Sequence, residues 1–76
     1  MSTQRVTIPI YDLSCGGGGS LTVERALARV AGVLRVYVNP ATEMAYVEYD
    51  IVQTDLAHLV AAVEQVGFKV GEPLLR

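Results

Sequence analysis

The sequence contains no tryptophan, one cysteine, one histidine and one phenylalanine in 76 residues. The single cysteine, Cys15, excludes an internal disulfide and an all-protein tetrahedral zinc site built within one chain. The single histidine, His58, has no second histidine or acid at metal-ligating spacing. No stretch approaches the roughly 18 apolar residues that a membrane-spanning helix needs, and Met1 to Arg5 carry no apolar core of a secretion signal. These absences predict a cytoplasmic protein whose free thiol stays reduced. Positive charge is scarce as well: six Lys and Arg stand against eight Asp and Glu, for a net charge of −2. The basic residues are scattered, whereas a nucleic-acid backbone or an anionic membrane surface needs clustered cations, so neither partner is expected. Arg25 and Arg29 fall one turn apart and read as the solvated side of a helix.

What is present is apolar substance for a small core. Hydrophobic residues make up 51% of the chain and charged ones 18%, the balance of a compact domain and not of a disordered tail. The length accommodates one domain, residues 1–76, and a chain of this size buries only about 60% of its unfolded surface.

The hydrophobic period changes along the chain. "RVTIPI" places Val6, Ile8 and Ile10 on one side, the alternation of a half-buried strand. Pro9 objects to that strand, because it removes a ladder donor and belongs at edges or bulges. From Leu21 onward Val23, Ala26, Leu27 and Val30 follow helical spacing, with Ser20 as the expected N-cap and Gly32 as the stop. "GVLRVYVN" and "EMAYVEYD" read as a hairpin turned at Asn39 and Pro40. "TDLAHLVAAVEQVG" restores helical spacing through Leu56, Leu59, Val60 and Val63, with Thr54 as the expected N-cap and Gly67 past the end. "FKVGEP" gives a short last strand that Pro73 is expected to close. The order strand, helix, strand, strand, helix, strand predicts an α+β fold: a ferredoxin-like βαββαβ sandwich, with two helices on one face of a four-stranded antiparallel sheet.

The place for chemistry is the junction "DLSCGGGGSLTVERAL". Cys15 lies between the first strand and the N-terminus of the first helix, where backbone N–H groups and the helix dipole favour thiolate over thiol. A small apolar plug is the other reading of a lone cysteine. The glycines before a helix suggest an anion cradle, but the junction lacks both the Gly-Lys-Ser/Thr ending and the G-x-G-x-x-G spacing. "GGGGS" also has the composition of a flexible linker. His58 falls off the apolar stripe of its helix and reads as a surface residue. Tyr11, Tyr37, Tyr46 and Tyr49 sit in strands, where aromatics serve packing. No residue is placed to act as a base for Cys15, so the chain is not expected to be an enzyme.

With these residues in view the chain resembles the heavy-metal-associated domain, the module of copper chaperones, of mercury-binding periplasmic proteins and of the N-terminal segments of metal-pumping ATPases. That family opens with an alternating strand ending in Gly-Met-x-Cys-x-x-Cys. "VTIPIYDLSC" follows it in step, with Asp12 at the glycine, Leu13 at the methionine and Cys15 at the first metal-binding cysteine. "VERAL", "AGV", "VYVN", "AYVEYD" and "VGFKV" continue the match from Val23 to Val70. The second cysteine's place is taken by Gly18, and the loop is one residue longer before Val23. The resemblance implies that Cys15 binds a soft ion such as Cu(I), with the second sulfur drawn from another copy in a homodimer, from a metal-ATPase or metallochaperone partner, or from glutathione. It also implies that Phe68 packs against the metal loop, with Lys69 beside it. The missing cysteine leaves two alternatives: a metal-free interaction module docking through a sheet edge or loop face, or a redox-active thiol.

Overall fold

A computed structural model of the chain describes residues 2–11, 13 and 19–75. Its elements are β1 (Thr3–Tyr11), α1 (Gly19–Ala28), β2 (Val33–Asn39), β3 (Met44–Asp50), α2 (Leu56–Gln65), β4 (Lys69–Val70) and β5 (Leu74–Leu75). All strand pairings are antiparallel, in the order β2-β3-β1-β4, with β5 also paired to β1. The sheet is thus four positions wide, and its last position is filled by two pieces. β4 pairs Ile10 with Val70 and Tyr11 with Lys69, whereas β5 pairs Val6 with Leu75 and Thr7 with Leu74. Pro73 therefore interrupts the last strand without closing it, because the chain rejoins β1 one residue later.

The same interruption accommodates Pro9 in the central strand. Ile10 N–H donates toward β3, to Glu43 O at 2.8 Å, while Pro9 O accepts from Gly71 N–H on the opposite side. A strand residue directs its nitrogen and its carbonyl to the same side, so the donor that Pro9 lacks would face the gap between β4 and β5.

Alternate residues of β1 (Val6, Ile8, Ile10) and β3 (Ala45, Val47, Tyr49) join Val38 of β2, Val23 and Leu27 of α1, and Leu59 and Val63 of α2 in one buried cluster. Both helices thus cover the same sheet face, as the period of the sequence predicts. The other face is open. There Tyr37 and Tyr46 stack with centroids 6.0 Å apart, and Tyr11 is also exposed. Only Tyr49 of the four tyrosines is buried, which corrects the packing role expected for the others: strand alternation sends Tyr11, Tyr37 and Tyr46 to the uncovered side.

Two expected helix caps shift by one residue or more. α1 begins at Gly19, so Ser20 lies inside the helix and is not its cap. α2 is capped by Asp55, whose Oδ1 accepts from His58 N–H at 3.0 Å. Thr54 is buried instead, and its Oγ1 has no partner. Gly67, with φ of +97°, follows the C-cap Val66 as expected, whereas Gly32, with φ of +96°, lies four residues past the end of α1 in the turn that leads to β2. The hairpin turns through residues 40–43, with Asn39 Oδ1 accepting from Ala41 N–H at 2.9 Å.

Candidate functional site

Cys15, together with Asp12, Ser14 and the glycines 16–18, lies outside the described residues. What the structure gives is the frame on either side of it. Leu13, at the methionine position of the motif, is 1% exposed and belongs to the core. Its N–H donates to Glu43 Oε2 at 3.1 Å. Its carbonyl faces Gly19, where a Cβ would come within 2.6 Å of Leu13 O and 3.1 Å of Phe68 Cζ. Gly19 is therefore a packing requirement and not a spacer: the start of α1 approaches the backbone of Leu13 too closely for any side chain. The linker reading of "GGGGS" does not extend to it.

Three connections converge around this frame. They are the junction leading into α1, the hairpin turn carrying Glu43, and the segment after α2 carrying Phe68. Phe68 is partly buried and packs against the core beside Gly19. Glu43 is the residue that the sequence reading misses, since it meets Leu13 from 30 positions away and no local pattern marks it. Lys69 is exposed on β4, opposite Tyr11.

His58 is not part of the frame. It stands in the first turn of α2, with Nδ1 2.7 Å from Asp55 Oδ1 and its side chain 72% exposed. That end of α2 lies beside the Gly32 turn, where a Cβ on Gly32 would sit 3.2 Å from Thr54 Cγ2, while Phe68 after the other end reaches Gly19. The His58 N–H groups, ring first, hold the Asp55 carboxyl below the ordinary 3.8. Arg25 is exposed on α1 and Arg29 just past its end, both on a groove shared with Ala62 and Gln65 of α2.

Among the described residues no group of three or more His, Cys, Asp or Glu side chains is arranged to hold a metal ion. The described part of the frame consists of apolar packing by Leu13 and Phe68 and one carboxylate, that of Glu43, and among the described residues there is no cage of oxygens of the kind a hard cation such as Ca²⁺ requires. Also among the described residues, no helix is long and apolar enough to cross a membrane.

Comparison with known proteins accords with this geometry. The chain is 33% identical over 67 residues to the mercuric transport protein periplasmic component of Serratia marcescens, covering 88% of this chain and 72% of that protein. Oxidised MerP from Ralstonia metallidurans CH34 superimposes with a TM-score of 0.87 at 30% identity, over 92% of this chain and 96% of that one. A copper-binding domain from a P-type ATPase gives a TM-score of 0.84 at 25% identity, over 93% of each chain. The cytoplasmic expectation is overturned by these relatives, which are periplasmic components by name in Serratia and in Pseudomonas. The physical reason is that a lone cysteine carries no disulfide signature in either compartment, so composition is silent on the choice. The heavy-metal-associated domain profile matches residues 10–69, and on that match the chain belongs to the heavy-metal-associated domain family.

Proposed function

We propose that this protein is a periplasmic carrier of a soft, closed-shell metal ion, Hg(II) or Cu(I), which it holds through the Cys15 thiolate and a sulfur supplied by a second molecule. The observation that supports this reading is the position of Cys15 in the motif, two residues past Leu13, which is anchored in the core. Ions of d¹⁰ configuration accept near-linear coordination by two sulfurs, and one thiolate satisfies half of that requirement. The remaining donor comes from another copy of the chain, from glutathione, or from the cysteine of a membrane transporter that receives the ion. A two-cysteine site holds its cargo by chelation. A one-cysteine site exchanges it faster, because every bound state is already halfway to transfer. α1 has no acidic residue in its first turn, so no carboxylate of that turn competes with a thiolate for the positive end of the helix.

The test is a titration with Hg(II), and anaerobically with Cu(I), against a competing thiol chelator, on this protein and on Cys15→Ala, with mass measured in the same samples. The expected result is cysteine-dependent uptake at about one ion per two thiolates, with the mass showing whether the second sulfur is a copy or glutathione. Equal uptake by the two proteins would overturn the reading and leave a metal-free interaction module as the better account.

A further inference from the structure

Among the described residues Glu43 is the one non-glycine with positive φ, +57°. L residues with a Cβ adopt that region at a cost, and they remain there only when the surroundings hold them. Two bonds hold Glu43. Its carbonyl accepts from Ile10 N–H at 2.8 Å, near the end of β1, and its carboxylate accepts from Leu13 N–H at 3.1 Å, three residues further along. Glycine at position 43 would turn the hairpin without strain and would keep the first bond. A glutamate therefore adds only the second: a charged acceptor for the amide of a residue that is itself 1% exposed, an amide that burial would otherwise leave unpaired.

We propose that Glu43 is a positioning residue, whose carboxylate fixes the backbone at Leu13 and thereby sets how the Cys15 thiol is presented to a metal ion and to a second sulfur. Its meaning for metal transfer rests on the function proposed above, while the clamp itself does not. Because Cys15 is the only cysteine in the sequence, the clamp has a single-site chemical readout.

The experiment measures the native-state alkylation rate of Cys15 by iodoacetamide in the wild type, Glu43→Gly and Glu43→Gln, with thermal midpoints and Hg(II) release to a chelator in parallel. Glu43→Gly should alkylate about fivefold faster, the scale of one lost hydrogen bond, while Glu43→Gln, which keeps an acceptor, stays within about twofold of wild type. Hg(II) release should change in the same order, with the midpoints nearly level, because relief of backbone strain offsets the lost bond. Hydrogen exchange of the Leu13 amide in the wild type adds a measurement that needs no variant to fold, and protection is expected there. Equal alkylation rates in wild type and Glu43→Gly, or an unprotected Leu13 amide, would overturn the proposal. Hg(II) uptake that survives Cys15→Ala would instead sink the metal reading, and the alkylation rates would still decide the clamp.

Discussion

At the scale of single residues, the informative positions are those where an atom or a partner is missing. Gly19 lacks a Cβ that would meet the Leu13 carbonyl oxygen at 2.6 Å, and a backbone oxygen has no rotamer by which to step aside. Gly19→Ala is therefore expected to cost about 1–3 kcal/mol, measured as a lowered urea midpoint, despite alanine's better helix propensity. Thr54 has the reverse defect, a buried hydroxyl oxygen without a partner. Thr54→Val keeps the shape and removes the polar atom, so the same denaturation should show no loss, or a gain of about 1 kcal/mol. Asp50 is fully served: Gln53 Nε2 donates to one oxygen at 3.0 Å and Val52 N–H to the other at 2.9 Å. These donors, the glutamine first, hold its carboxyl below the ordinary 3.8. A lowered carboxyl stabilises the fold above its ordinary value, and that contribution is lost as the pH falls through the lowered one. Gln53→Ala should therefore reduce stability at neutral pH more than in strong acid, as seen in urea midpoints at the two conditions.

At the scale of elements, the interiors follow from periodicity and the ends depend on tertiary contacts. The stripes of Val23 and Leu27 and of Leu59 and Val63 are legible because the 3.6-residue period requires only local spacing. The cap of α2 is not, since Thr54 and Asp55 are adjacent and each is a good capping residue. The choice falls to packing: Thr54 is drawn beneath the Gly32 turn, which leaves Asp55 to receive the His58 N–H. Asp55→Ala should cost about 1 kcal/mol, checked by thermal or urea unfolding. In β1, Pro9 is an objection on sequence grounds, and it is answered only by a gap in a partner strand sixty residues away in the chain. β5 escapes the sequence reading for a related reason, because proline ends a strand locally yet leaves the next residues free to pair again.

At the scale of the molecule, the order of elements along the chain and the covered face are legible in the sequence, whereas the frame around the junction is legible only on one side. The motif points to Cys15 and Leu13 because their identities and spacing are local. The resemblance also points to Phe68, which packs beside Gly19, whereas the bond that holds Leu13 comes from Glu43 in the hairpin turn, and such a contact leaves no periodic trace. β5 is little buried, with Leu74 and Leu75 57% and 59% exposed. Removal of residues 74–76 should lower the thermal midpoint by no more than about 4–8 °C, the shift that about 1 kcal/mol makes in a domain of this size. The course of β5 has one more consequence. It runs back along β1 toward Val6, while β1 itself starts at Thr3 opposite Asp50, so both extremities leave the sheet at the pole away from Leu13 and Gly19. A tether attached at either extremity, whether to a solid support or to a neighbouring domain, would sit behind the molecule and leave the pole of Leu13 and Gly19 unobstructed.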